Sequence, residues 1–243
     1  MIKFDSDEYW RVKIWDRFKE IEVVPPKVRD EFMLQENNTV GRILRLSSDR
    51  DPLSILDLAC GTGKISASIL KSVPEKAHIT LVDFNPRTLN KARMYLGNHS
   101  SLDFCCVNAY DIGRKFAREF DIVVCLDFLH HVSRLRLLLG VIREVLTPSG
   151  VLIGNALAAE TYRELDRIKY GILKSSRRRL LKNIFKNIYD NSPDPGKKLI
   201  RLSGFVRIEP LGKDELVGCL STYFEDLEVI SSYYHWFSAT RRS

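Results

Sequence analysis

The sequence predicts an α/β fold: a doubly wound, mostly parallel seven-stranded sheet with an antiparallel last strand. Three observations carry that expectation. From residue 53 onward, short apolar runs alternate with stretches of helical periodicity, the pattern of parallel strands with helices on both faces. Residues 55–63 read I-L-D-L-A-C-G-T-G, an apolar strand running through a glycine turn into a helix. Near the end, apolar runs at 227–232 and 234–240 are close enough to close the sheet as an antiparallel pair.

Residues 1–48 read as helical. Tyr9, Trp10, Ile14, Trp15 and Phe18 fall on one face at helical spacing. Pro25 and Pro26 break the segment, with further helices expected over 27–34 and 40–46. The aromatic face either packs on the sheet or caps a substrate cavity, and Tyr9 and Trp10 are its candidate substrate contacts. The first strand is 54–58 and its helix 64–71. Gly61 and Gly63 let the backbone approach a ligand at the helix N-terminus. A second strand, 79–83, ends in Asp83, twenty residues after Gly63, where a carboxylate can accept both hydroxyls of a ribose.

The next helix is clearly punctuated, with Asn85 as N-cap, Pro86 at its first position and Gly97 just past its end. Strands follow at 102–107 and 121–126. Between the fourth and fifth strands lies a helix with Leu135, Leu138, Leu139, Ile142 and Leu146 on one face. Thr147-Pro148-Ser149-Gly150 reads as a turn before a fifth strand at 151–154, and the last helix spans 213–223.

A basic stretch interrupts this pattern. Residues 163–201 hold twelve Lys or Arg and only four Asp or Glu, and Arg177, Arg178 and Arg179 flank the apolar face of an amphipathic helix. Three organisational units follow: a helical N-terminal cap at 1–48, a ligand-binding domain made of 49–157 and 208–243, and a basic helical insertion at 158–207. The insertion reads as a solvated outer face, a lid meeting an acidic or phosphorylated substrate, or a surface for anionic lipid or RNA.

Composition is that of a soluble globular protein, with 44% hydrophobic and 28% charged residues. No apolar run reaches the roughly 20 residues that span a bilayer, and no signal-peptide core is seen. Five cysteines without metal-ligand spacing are expected to be buried thiols in a reducing cytoplasm, and no metal site is expected. The net charge of +7 points only weakly to an anionic partner.

Two features depart from a dinucleotide fingerprint: Ser66 stands where its third glycine belongs, and the acid Asp57 precedes the turn. D-L-A-C-G-T-G followed by L-V-D-F-N instead resembles motifs I and II of class I S-adenosylmethionine-dependent methyltransferases. The resemblance is close over about 50–156 and holds in pattern only over 205–243. It implies a Rossmann-like fold, S-adenosyl-L-methionine as cofactor and methyl transfer as the activity. By position, Asp57, Ala59, Cys60, Gly61 and Gly63 would face the methionine moiety, with Ala59 in place of the usual first glycine. Asp83 would bind the ribose and Phe84 stack on adenine, while Asn108, with Ala109 beside it, takes the place of an adenine-binding aspartate. Leu126 would supply backbone contacts.

The stretch D-F-L-H-H-V at 127–132 is similar to the L-H-H segment of methyltransferases of the ubiquinone and menaquinone type. Either His130 or His131 can serve as a base there, or one can instead cap the next helix or pack beneath the ligand. V-L-T-P-S-G-V-L-I resembles the family's L-x-P-G-G turn, and the basic insertion lies where the family often places its lid. The signatures of enzymes that methylate nucleic-acid amines, cytosine C5 or protein arginine are missing. A small-molecule acceptor is therefore the first expectation. An RNA or tRNA methyltransferase using the basic insertion stands second, and a catalytically silent ligand-binding protein of the same fold third.

Overall fold

The structure, a computed structural model, describes residues 26–48, 52–73, 77–159, 211–232 and 234–242. Its elements are α1 (Pro26–Leu46), β1 (Leu53–Leu58), α2 (Lys64–Ser72), β2 (Ala77–Asp83), α3 (Pro86–Leu96) and β3 (Leu102–Cys106). Then come α4 (Ile112–Lys115), β4 (Phe120–Cys125), α5 (Leu135–Val145), β5 (Leu146–Leu157), α6 (Lys213–Leu220), β6 (Phe224–Ser231) and β7 (Tyr234–Arg241). One seven-stranded sheet has the order β3-β2-β1-β4-β5-β7-β6. Strands β1 to β5 are parallel, and β7 runs antiparallel to both β5 and β6. The strand order reverses between β1 and β4, and ligands of open α/β sheets bind outside the carboxyl ends of strands at such a point.

Both faces of the sheet are covered, which is why β1 and β4 are apolar almost throughout rather than alternating. Leu56, Leu58, Val123 and Leu152 pack with Leu138, Ile142 and Leu216 on one side. Ile55, Ile79, Val124 and Ile153 pack with Ile43, Ile69 and Leu89 on the other. The capping at α3 is as expected: Asn85 Oδ1 accepts from Arg87 N–H at 3.0 Å, Pro86 takes the first position, and Gly97 ends the helix at φ 70°.

Four expectations are corrected. Helices over 27–34 and 40–46 are one continuous helix, because no residue between them breaks it and its polar residues are used inward. Gln35 and Thr39 are buried, the indole N–H of Trp236 donates to Thr39 Oγ1 at 3.1 Å, and Arg42 Nε donates to Ser238 Oγ at 3.1 Å. The turn at Thr147–Gly150 is a bulge inside β5, with Leu146 paired to Phe120 and Val151 to Ile122. Pro148, which has no N–H for the ladder, falls in that looped-out part. Leu146, placed on the preceding helix from sequence, opens β5 instead. Finally, the five cysteines are not all buried: Cys60, Cys125 and Cys219 are, but Cys105 is half-buried and Cys106 exposed, since β3 is an edge strand.

No helix among the described residues is long and apolar enough to cross a membrane. At the centre of the sheet, a Cβ on Gly154 would lie 2.6 Å from Phe237 Cζ and 3.0 Å from Cys125 O. Gly154→Ala is therefore expected to destabilise the fold by about 1–3 kcal/mol through overpacking. An unchanged urea midpoint would show that Phe237 can move aside.

Candidate functional site

The site starts where β1 ends. Ala59, Gly61 and Gly63 all adopt left-handed φ, at 59°, 56° and 78°. Cys60 N–H donates to Val82 O and Gly63 N–H to Cys60 O, each at 3.0 Å, which ties the turn to β2 and closes it on itself. Gly63 must be glycine twice over, because a Cβ would also meet Leu96 Cδ1 at 2.8 Å. At Gly61 a Cβ would meet nothing within 4 Å, so the backbone there faces open space. Ala59 takes up the left-handed conformation despite its methyl group, at a cost of roughly 1–2 kcal/mol that glycine would avoid.

Asp83, at the tip of β2, is held from two sides. Gly61 N–H donates to its Oδ2 at 3.2 Å and Asn85 N–H to its Oδ1 at 2.9 Å. Burial raises its pKa, and these two N–H bonds counter part of the rise. Asp57 is 2% exposed and accepts from Ser66 Oγ at 2.6 Å. The two residues that set this chain apart from the dinucleotide fingerprint are thus bonded to each other. Burial drives the Asp57 carboxyl up from 3.8 to about 7, against the Ser66 bond, with Asp83 adding to the rise. Burial, Asp57 and Asp83 also push the Cys60 thiol far up, so it is no nucleophile at neutral pH.

The neighbouring strand tips carry the other expected residues. Phe84 follows Asp83 and is half-buried, and its carbonyl accepts from Cys106 Sγ at 3.5 Å. Asn108 caps a short 3-10 turn, its Oδ1 accepting from Tyr110 N–H at 3.0 Å, and Ala109 is buried behind it. One lone pair of the Asn108 oxygen is therefore already used, leaving its second for any other donor. Leu126 is half-buried against the core at the end of β4.

After β4 the chain turns through Asp127, at φ 54°, into a 3-10 turn at Leu129–His131. His130 is buried, and its Nδ1 accepts from Leu157 N–H at 3.4 Å. The proton of the neutral ring then sits on Nε2. His131 is half-buried, its ring 4.2 Å from that of His130. Burial, and secondarily His131, hold His130 well below the usual imidazole range, while burial lowers His131 to about 4. Both rings are neutral at physiological pH.

Sequence reasoning missed Asn155 and Gln35. Asp127 N–H donates to Asn155 Oδ1 at 2.6 Å, and Asn155 Nδ2 donates to Gln35 Oε1 of α1. Asn155 is fully buried, and a lone amide in the apolar run at 151–159 was the signal available. Tyr9, Trp10, Arg177, Arg178 and Arg179, the cap over 1–25 and the insertion from 160 to 207 lie outside the described residues.

Residues 56–152 match the methyltransferase-domain family. That stretch carries the likeness to a methyltransferase domain. A ubiquinone biosynthesis O-methyltransferase of Aromatoleum aromaticum is 34% identical over 79 residues, 32% of each chain. A malonyl-[acyl-carrier protein] O-methyltransferase of Halalkalibacterium halodurans is 27% identical over 123 residues, 50% of this chain and 45% of that one. The chain spans about half or less of the length of these curated relatives. The structure of magnesium protoporphyrin IX methyltransferase from Synechocystis, with bound S-adenosylhomocysteine, superposes at a TM-score of 0.59. It covers 97% of this chain and 98% of that one at 14% identity, a likeness of fold.

The pKa of Asp57 makes stability depend on pH. An unfolded Asp57 releases its proton near 3.8 and the folded one near 7, so ionising it costs stability as pH rises through that window. His130 and His131 act with the opposite sign, gaining stability as pH rises toward 6.5, and they cancel in a comparison of two variants. Asp57→Asn should therefore gain melting temperature relative to the unsubstituted, ligand-free protein between pH 5 and 8. A difference that stays flat with pH would mean that Asp57 is ionised throughout.

Proposed function

We propose that this protein transfers a methyl group from S-adenosyl-L-methionine to an oxygen of a small-molecule acceptor. The observation that carries the reading is Asp83, its carboxylate fixed by Gly61 and Asn85 N–H at the point where the strand order reverses. A carboxylate so fixed keeps lone pairs for the two hydroxyls of a ribose. Asp57 fits a cationic ligand: a buried acid poised near 7 is ionised by a positive charge arriving beside it, as the cofactor's ammonium would. In this reading Phe84 would cover the adenine, and the second lone pair of Asn108 Oδ1 would accept from its amino group. The bound cofactor supplies an electrophilic methyl group. The chain's own residues align the acceptor with it, exclude water and take up a proton.

Of the two histidines, His131 is the base in this proposal. His130 Nδ1 is engaged by Leu157 N–H and the ring is almost fully buried, which suits a positioning role. His131 stays neutral down to about pH 4 and is ready to accept a proton. A base that weak matches an acceptor that ionises readily, such as an acidic phenol, an enol or a carboxylic acid. The anion formed beside it raises the imidazole's own pKa toward the working range. The O-methyltransferase names of the relatives support oxygen as the acceptor atom.

Asp83→Ala should weaken S-adenosylhomocysteine binding about 10- to 100-fold by calorimetry, the loss of one or two charge-assisted hydrogen bonds. Unchanged affinity would remove the ribose role and most of the proposal with it. With a phenolic or enolic acceptor, His131→Ala should leave that affinity intact and lower kcat by about 10²-fold. Tight cofactor binding with no methyl-mass product from any cell extract would favour a silent binding protein instead.

A further inference from the structure

The opposite edge of the sheet holds a group of charges that methyl transfer leaves unused. Gly113, Phe116, Arg118, Arg143, Glu144 and Arg241 line a cleft of about 270 Å³. Strand β4 starts at Phe120, β5 starts at Leu146, and antiparallel β7 ends at Arg241. The cleft is therefore at the amino edge of the parallel strands, away from the glycine turn.

Three guanidinium groups meet there. Arg241 is 6% exposed, its Nη1 donates to Leu146 O at 3.0 Å, and its Nε is buried without a partner. Arg143 Nη2 donates to Arg242 O at 3.0 Å, so two of the three are anchored on backbone carbonyls. Arg118 presents its side chain from a left-handed backbone, φ 53°, a conformation that L residues adopt at a cost and that recurs at binding sites. Burial, then the like charges of Arg143 and Arg118, lower the pKa of Arg241. The ion pairs among the described residues involve none of these three arginines, and Glu144 is the one acid among the described residues lining the cleft. A buried cation beside two others, facing a single carboxylate, lacks a counter-charge.

We propose that this cleft binds a phosphate oxyanion, either inorganic phosphate or the phosphate end of a small phosphomonoester. Guanidinium forks match phosphate oxygens in pairs, and anchoring two of them in advance limits the ordering that binding requires. The cleft has room for roughly nine waters, enough for a phosphate and a few attached atoms. A dianion would offset the charge of Arg241 while Arg118 and Arg143 reach it from the rim.

The test uses the full chain at pH 7.5 and constant ionic strength, with sodium phosphate replacing sodium chloride. A saturable rise in melting temperature is expected, half-complete at millimolar phosphate or below. It should be lost in Arg118→Gln/Arg143→Gln, which leaves the buried Arg241 in place. That double variant should bind S-adenosylhomocysteine as the unsubstituted protein does, which separates this cleft from the methyl-transfer site. Titration with sn-glycerol 3-phosphate distinguishes the source: a tighter response than phosphate assigns a phosphomonoester, a weaker one the free oxyanion. No saturable response, or an equal one in the double variant as general salting would give, overturns the proposal.

Discussion

A carboxylate that folding removes from water lies at the centre of this structure. Asp57 occupies a strand covered on both faces, and one serine hydroxyl at 2.6 Å offsets only part of the cost. Asp83, close enough to raise its pKa further, closes the other side of the turn. The geometry of residues 59–63 follows from holding these two acids near one helix N-terminus. Three of the five residues adopt left-handed φ, and two amide N–H groups are spent on Asp83. The turn thus keeps two acids behind a backbone that faces open space at Gly61.

A second constraint ties the N-terminal helix to the same edge. A carboxamide has one accepting and one donating end, and Asn155 uses both, one on Asp127 N–H and one on Gln35. Neither an acid nor an apolar side chain can make that pair of bonds. Two strand-five residues therefore hold the segment after β4: Asn155 grips its left-handed start and Leu157 N–H holds the buried His130. Thr39 and Arg42 extend the same stripe of α1 across β7. The helix thereby supports the segment after β4 through Asn155.

The sheet, its antiparallel last strand and the glycine turn were legible in the sequence because their signals are local: apolar runs, glycines and a capping asparagine. Helix α1 was divided in two because its buried face is polar, and periodicity counts apolar residues only. Ser66 was visible as a misfit, but its partner lies nine residues away in a different element and only the fold brings it to Asp57. The difference in surroundings between His130 and His131 was closed to sequence for the same reason. It turns on an amide of β5 that reaches one ring. The bulge at Thr147–Gly150 was half-legible: its proline and glycine signal an interruption, while the strand continuing through it depends on pairing with β4.

The two edges of the sheet are electrostatically separate. Strand β4 has six residues, which at about 3.3 Å each puts roughly 20 Å between its ends. The screening length in physiological salt is about 8 Å, so a charge bound at one edge is only weakly felt at the other through solvent. Any communication between Arg241 and the segment after β4 must run through packed structure. The available path is short: Arg241 donates to Leu146 O, the first residue of β5, and Asn155 near the end of that strand holds Asp127. Strand β5 is buried along Gly150–Leu157, and a rigid central strand transmits little displacement unless it has two stable registers. The geometry therefore leaves the arginine cleft and the glycine-turn edge without a direct electrostatic link.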